Sequence, residues 1–274
     1  MNIVPLFLSC IITAVSYLAF KKQILAFLKQ EKLTTYNYAG NEVLSAGGLM
    51  IMVPCTLAAL MLFMYKSVPT YLLYALMMPI LAFGGMLDDV LGDSSSKGLL
   101  SHVIALVNGK LSTGILKALI GCLIGFILAR CRYSKFIIFL IDILLFPLCV
   151  NLINLLDLRP GRAIKGFGIV IIFMAAGAGF SELHFILPPA IALLLYTGGE
   201  MREVYMMGDT GANMLGGILG FYGVLVLSLP VKLLVLVCLG VLHIFAELYS
   251  LSGLIDKISF LKKLDMLGRN NEES

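Results

Sequence analysis

The sequence contains no tryptophan, only three histidines, and six cysteines that never form a CxxC pair or stand beside a histidine. A thiolate or imidazole metal box is therefore excluded, and the cysteines read as small hydrophobes. Charge is equally scarce, at 13% of residues. A soluble domain carries roughly 25%, so a soluble globular protein is excluded too. Low-complexity tracts, collagen repeats and linkers are missing. No internal repeat of the kind that builds many transporters is visible.

What is present is apolar: 60% of the 274 residues are hydrophobic, and mean hydropathy is +0.99. By length alone the chain would make one or two domains of ~150 residues. A bilayer core takes ~20 apolar residues per helix, and this chain holds many such runs. The expectation is an all-α polytopic membrane bundle over residues 1–250, followed by a tail over 251–274. Leu251, Leu254, Ile255, Ile258, Leu261 and Leu264 recur at helical spacing, which predicts an amphipathic helix on the inner leaflet.

The N-terminal apolar run precedes Lys21-Lys22. That is the reverse of a signal peptide, and the run reads as a retained anchor. Further spans are expected near 47–65, 70–87, 113–129, 136–153, 168–181, 185–198, 211–229 and 231–250, nine in all with the first. With the N-terminus outside, fourteen of the 20 Lys and Arg fall inside, five fall outside, and Lys117 lies within a span. The positive-inside rule favours that orientation, so the net charge of +4 reports topology rather than nucleic acid. The long polar connections then share one face, the face where the protein works. Pro188-Pro189 inside an apolar run predicts a break or kink, and Gly121/Gly125 and Gly216/Gly220 predict close helix packing.

Acidic residues gather where spans end. Asp88-Asp89 closes the third span, and Asp209, in an Asp-Thr pair flanked by Gly208 and Gly211, opens the eighth. Each has a plain reading as well, a polar stop for Asp88-Asp89 and an N-cap for Asp209. Asn151, Asn154 and Asp157 are three apart, so they share one helix face at the end of the fifth span. They can read a hydrogen-bonding ligand or glue helices together. Arg159, Arg162 and Lys165 follow at once; cations beside carboxylates suit a phosphate-bearing ligand, or anchor the loop inside. Hard oxygen donors without Cys or His suit Mg²⁺ shared with substrate phosphates. Asp142 and Glu247 fall inside spans; Asp142 is expected to pair with an outer cation such as Lys135.

The order GGMLDD, NLINLLD, MMGDTG, with NYAGNEVLSAGG before it and Ser96-Lys97-Gly98-Leu99 between, resembles the polyprenyl-phosphate N-acetylhexosamine-1-phosphate transferases. This family of phospho-N-acetylmuramoyl-pentapeptide transferase-like enzymes belongs to glycosyltransferase family 4, and the chain is similar to it as a divergent member. The resemblance implies a Mg²⁺ enzyme, with Mn²⁺ as an alternative ion, in a bacterial plasma membrane. It would move hexosamine-1-phosphate from a UDP-sugar to polyprenyl phosphate, releasing UMP for cell-wall or polysaccharide synthesis. By matching position, Asp209 would hold the metal with help from Asp89. Asp88 and Asp89 would orient or deprotonate the lipid phosphate. Asn151, Asn154 and Asp157 would line the nucleotide-sugar pocket, and Lys97 would neutralise phosphate charge. A homodimer is left open.

The family's asparagine motif continues Asp-Gly-x-Asp-Gly, whereas Asp157 is followed by Leu158, Arg159 and Pro160; the segment after the ninth expected span has no histidine. Two other readings therefore stand beside the transferase: a catalytically silent relative acting as scaffold or regulator, and a carrier using Asp142 and Glu247.

Overall fold

The computed structural model describes residues 3–91, 107–109, 112–132 and 135–269. The described residues form eleven helices and one short hairpin. Helix α1 is Ile3–Gln30, α2 Leu49–Lys66, α3 Pro69–Leu91, α4 Thr113–Cys131 and α5 Phe136–Leu156. They are followed by α6 Arg162–Gly177, α7 Leu187–Glu200, α8 Gly208–Val226 and α9 Leu229–Leu248. Two short helices are the last of the described elements, α10 Leu251–Lys257 and α11 Ser259–Met266. Seven helical stretches are long and apolar enough to cross a membrane: α1 to α5, Leu183–Glu200 and α9. The all-α bundle is thus present, and its long apolar helices are consistent with a membrane protein. Of the nine expected spans, two fall short by these measures. Helix α6 has 16 residues, about 24 Å at 1.5 Å per residue against a ~30 Å core. Helix α8 begins with the polar run Gly208 to Asn213 and is rich in glycine.

Helix α8 is the centre of the bundle. Every residue from Thr210 to Val224 is buried. Glycine explains how a helix comes to be surrounded so tightly. A Cβ on Gly216 would strike the backbone of Cys149 and Val150 in α5, and one on Gly217 would strike Leu81 in α3. Small residues let helix backbones approach without a hydrophobic drive between them. Helix α9 lies at the periphery, with only 11% of its most apolar window buried.

Three local expectations change. Pro188 and Pro189 do not break a span: they stand in the first turn of α7, after a short 3₁₀ turn at Leu183–Phe185. Proline is favoured there because the first amides of a helix have no partner to lose. Asp142 pairs not with Lys135 but with Lys232 at the start of α9, and the same ammonium donates to the Val224 carbonyl at 2.9 Å. Both members of that pair are buried, so it ties α9 to α5. The tail is two helices rather than one. Ile258 is extended, with φ −95° and ψ 108°.

A hairpin precedes α2. Strand β1, Thr34–Tyr36, pairs antiparallel with β2, Glu42–Leu44. Its turn is held by Asn37, whose Oδ1 accepts the amides of Ala39 and Asn41 at 3.0 and 2.8 Å. The chain beyond β2 runs beside residues 205–207: Met206 N–H donates to Leu44, Gly47 to Met206 and Gly48 to Met207. The connection into α8 is thereby fixed to the start of α2.

Candidate active site

Successive residues on a helix point about 100° apart. At the end of α3 this sends Asp88 and Asp89 to different neighbours. Asp89 faces the N-terminus of α8. Its Oδ1 accepts the Asp209 amide at 2.9 Å, and its Oδ2 accepts the Thr210 amide at 3.0 Å and the Thr210 hydroxyl at 2.7 Å. A carboxylate satisfies free amides there and is favoured by the helix dipole. The cap of α8 therefore comes from α3 and not from Asp209.

Asp88 faces α4. Lys117 Nζ donates to both Asp88 Oδ2 and Asp209 Oδ2. An ammonium on α4 thus joins two carboxylates that are remote in sequence. All three side chains keep partial exposure, between 18% and 28%. Glycines make the approach feasible. A Cβ on Gly85 would run into the Asp209 carbonyl, and Gly208 adopts φ +66° with its missing side chain against the Asp89 carboxylate.

The polar stripe of α5 reaches the same end of the bundle. Asn154 Nδ2 donates to Asn213 Oδ1 on α8. Asp157 caps the end of α5; burial, then the charges of Glu200, Asp209 and Asp89, push its carboxyl well above the usual range. Lys117, Asn151, Asn154 and Asn213 line a cavity of ≈ 550 Å³ whose remaining wall is largely apolar, with His243 and Glu247 contributed by α9. Asn154 Oδ1 and His243 Nε2 are buried there with no hydrogen-bond partner among the described residues.

Of the residues singled out in the sequence, Asp88, Asp89, Asp209, Asn151, Asn154 and Asp157 are brought to this end of the bundle. Lys97 lies outside the described residues. Arg159 and Arg162 turn to the tail instead: Arg159 forks onto Asp256 at 3.2 and 3.1 Å, and Arg162 onto Asp265 at 2.8 and 2.9 Å. Lys117 and Asn213 are the additions. A lysine inside an apolar run is costly unless paired, and that is the signal that could have found Lys117.

The donor set bears on a metal. Among the described residues no group of three or more His, Cys, Asp or Glu is arranged to hold one. Asp88 and Asp209 nevertheless converge on one cationic group. Two carboxylates suffice for Mg²⁺ when substrate phosphates and water complete its shell. The oxygens of Asp89 are occupied by α8.

The chain matches no model of a known protein family, and a comparison with curated proteins likewise gives no match.

Proposed function

We propose that this protein is a membrane phospho-sugar transferase acting at the face where α3 and α5 end and α8 begins. That face would be cytoplasmic, with nine membrane-crossing segments and the N-terminus outside. The observation that carries the reading is the Asp88–Lys117–Asp209 group, assembled from three helices. A carboxylate–ammonium–carboxylate chain whose ammonium lines a largely apolar cavity suits a reactant with a phosphate at one end and a hydrocarbon at the other. In this reading the cavity takes the polyprenyl phosphate, with Lys117 against its phosphate. Asp88 holds the Lys117 ammonium against that phosphate. Asn151, Asn154 and Asn213 hold the ligand's polar groups.

Attack by the lipid phosphate on the β-phosphorus of a UDP-sugar would form the lipid-linked diphosphate sugar and release UMP. Such a step depends on charge neutralisation and alignment rather than a covalent enzyme intermediate. Asp209, joined by Asp88, is the proposed ligand for Mg²⁺, which supplies charge neutralisation on the transferring diphosphate when bound. Asp89 is given the task of fixing Asp209 through the first turn of α8.

The test is purified protein with Mg²⁺, polyprenyl phosphate and a panel of UDP-sugars. Release of UMP that needs both substrates supports the proposal. Movement of a substrate across liposomes without UMP points to a carrier. Lipid binding without turnover by any donor points to a silent relative. The locked Asp142–Lys232 pair speaks against the carrier, because both groups are already committed to holding α9 in place.

A further inference from the structure

The loop between α5 and α6 and the C-terminal tail form a second charged cluster. Arg162 holds Asp265 through two parallel hydrogen bonds of 2.8 and 2.9 Å and also donates to Ser252 Oγ at 2.8 Å. Arg269 Nη2 donates to Asp265 Oδ1 at 2.9 Å, and its Nε donates to the Pro160 carbonyl at 3.0 Å. Lys165 Nζ donates to the Asp265 carbonyl at 2.5 Å. Arg159 reaches Asp265 at 4.0 Å while forking onto Asp256, and it stacks over the Tyr38 ring of the hairpin at 5.8 Å. Asp265 is 5% exposed and Arg162 is 4% exposed.

Four cations therefore converge on one buried aspartate, with Asp256 at the rim and Glu200 behind, where its Oε1 accepts the Gly161 amide at 2.8 Å. The cations outnumber the carboxylates they face. Guanidinium forks fit carboxylate and phosphate oxygens in the same way. One surface salt bridge would explain a docked tail. Three guanidinium groups around a single carboxylate, with an ammonium on the backbone carbonyl of the same residue, fit better the coordination of a group carrying more negative charge.

We propose that the Arg159–Arg162–Lys165–Arg269 cluster is a binding site for a di- or polyphosphate anion, and that Asp265 on α11 is its built-in competitor. The anion enters by displacing Asp265. Helices α10 and α11 then swing away from the loop that follows Asp157. The tail is a strap that closes the site when no phosphate is present. The inference extends the reading of Arg159 and Arg162 as phosphate partners, but it does not depend on turnover.

Inorganic pyrophosphate is the probe, applied to the purified full-length protein in detergent. In the wild-type chain, pyrophosphate should speed amide hydrogen exchange of residues 259–266 at least tenfold and slow that of 158–165. Calorimetry should show Asp265→Asn binding pyrophosphate at least tenfold tighter than wild type, with Asp265→Glu restoring the wild-type affinity. Slower exchange in both segments, or weaker binding by Asp265→Asn, would mean that the aspartate positions the arginines rather than competes for them, and would overturn the proposal. The exchange arm needs no variant, so a misfolded Asp265→Asn does not rescue the idea. A silent transferase assay with a positive exchange result would sink the transferase alone.

Discussion

The carboxylate of Asp89 accepts both the amide and the hydroxyl of Thr210, at 3.0 and 2.7 Å. The last acid of α3 is thus the cap of α8, the most buried helix of the bundle. The cap also fixes where Asp209, the next acid in the site, can point.

Asp89→Ala should therefore act first on stability. Loss of a cap costs about 0.5–2 kcal/mol, and the freed Thr210 hydroxyl adds to it. Thermal unfolding in detergent should fall for Asp89→Ala and fall less for Thr210→Val, which keeps the two backbone contacts. Equal stability of Asp89→Ala and wild type would contradict the assignment.

Gly85→Ala and Gly208→Ala probe the same junction from the backbone. The first pushes a methyl into the Asp209 carbonyl, and the second places Ala at φ +66° against Asp89. Left-handed backbone alone costs a non-glycine residue roughly 1–2 kcal/mol. Both variants should lower the unfolding temperature. Gly168→Ala, where a Cβ meets no described atom within 4 Å, is the control and should leave it unchanged or raise it, because alanine is the better helix former.

Lys117→Met leaves Asp88 and Asp209 facing one another without their shared cation. On the transferase proposal, turnover should drop by about 10²–10³-fold, the usual cost of removing one group that stabilises developing charge. Lys117→Arg keeps the charge and should retain more activity. Initial rates of UMP release at saturating substrates measure both.

The strap carries a pH signature. Burial alone would raise Asp265, but the hydrogen bonds and charge of Arg162, with the charges of Arg269 and Lys165, outweigh it and hold the carboxyl below its ordinary value. A depressed carboxylate contributes stability that is present above its unfolded value, ~3.9, and is lost as pH falls through the folded one. The cations around Asp265 are Arg159, Arg162, Lys165 and Arg269, and Asp256 and Glu200 are the other carboxyls of the cluster. Amide hydrogen exchange of residues 259–266, corrected for its intrinsic pH dependence, should stay slow from neutral pH to about pH 5 and rise below about pH 4. Lys165, lowered to about 8 by burial and then by Arg269, loses its charge above that pH, so pyrophosphate affinity should weaken there.

Much of this was readable from residue order. The acids at 88, 89 and 209 and the amide stripe on α5 announce themselves because polar groups at span ends are few and their spacing places them on defined faces. Lys117 was not, since a lone lysine near the end of an apolar run also reads as an orientation signal. Its two partners come from α3 and α8, and only tertiary packing brings them together. The partner of Asp142 was hidden for the same reason: Lys135 is near in sequence, whereas Lys232 is near in space. In the tail, helical periodicity runs straight through Ile258, so the break does not show. The burial of Asp265 does not show either, because its partner Arg162 lies 103 positions away.

The central claim is that a phosphoryl group, with its sugar attached, passes to a lipid phosphate at the Asp88–Lys117–Asp209 group. A UDP-sugar labelled with ³²P at the β-phosphate tests it most directly, in the presence of Mg²⁺ and polyprenyl phosphate. The account predicts that the label moves to the lipid with the wild-type protein and stays with the nucleotide for Asp209→Asn. Label that remains on the nucleotide with every donor, or that moves equally well with Asp209→Asn, would contradict it.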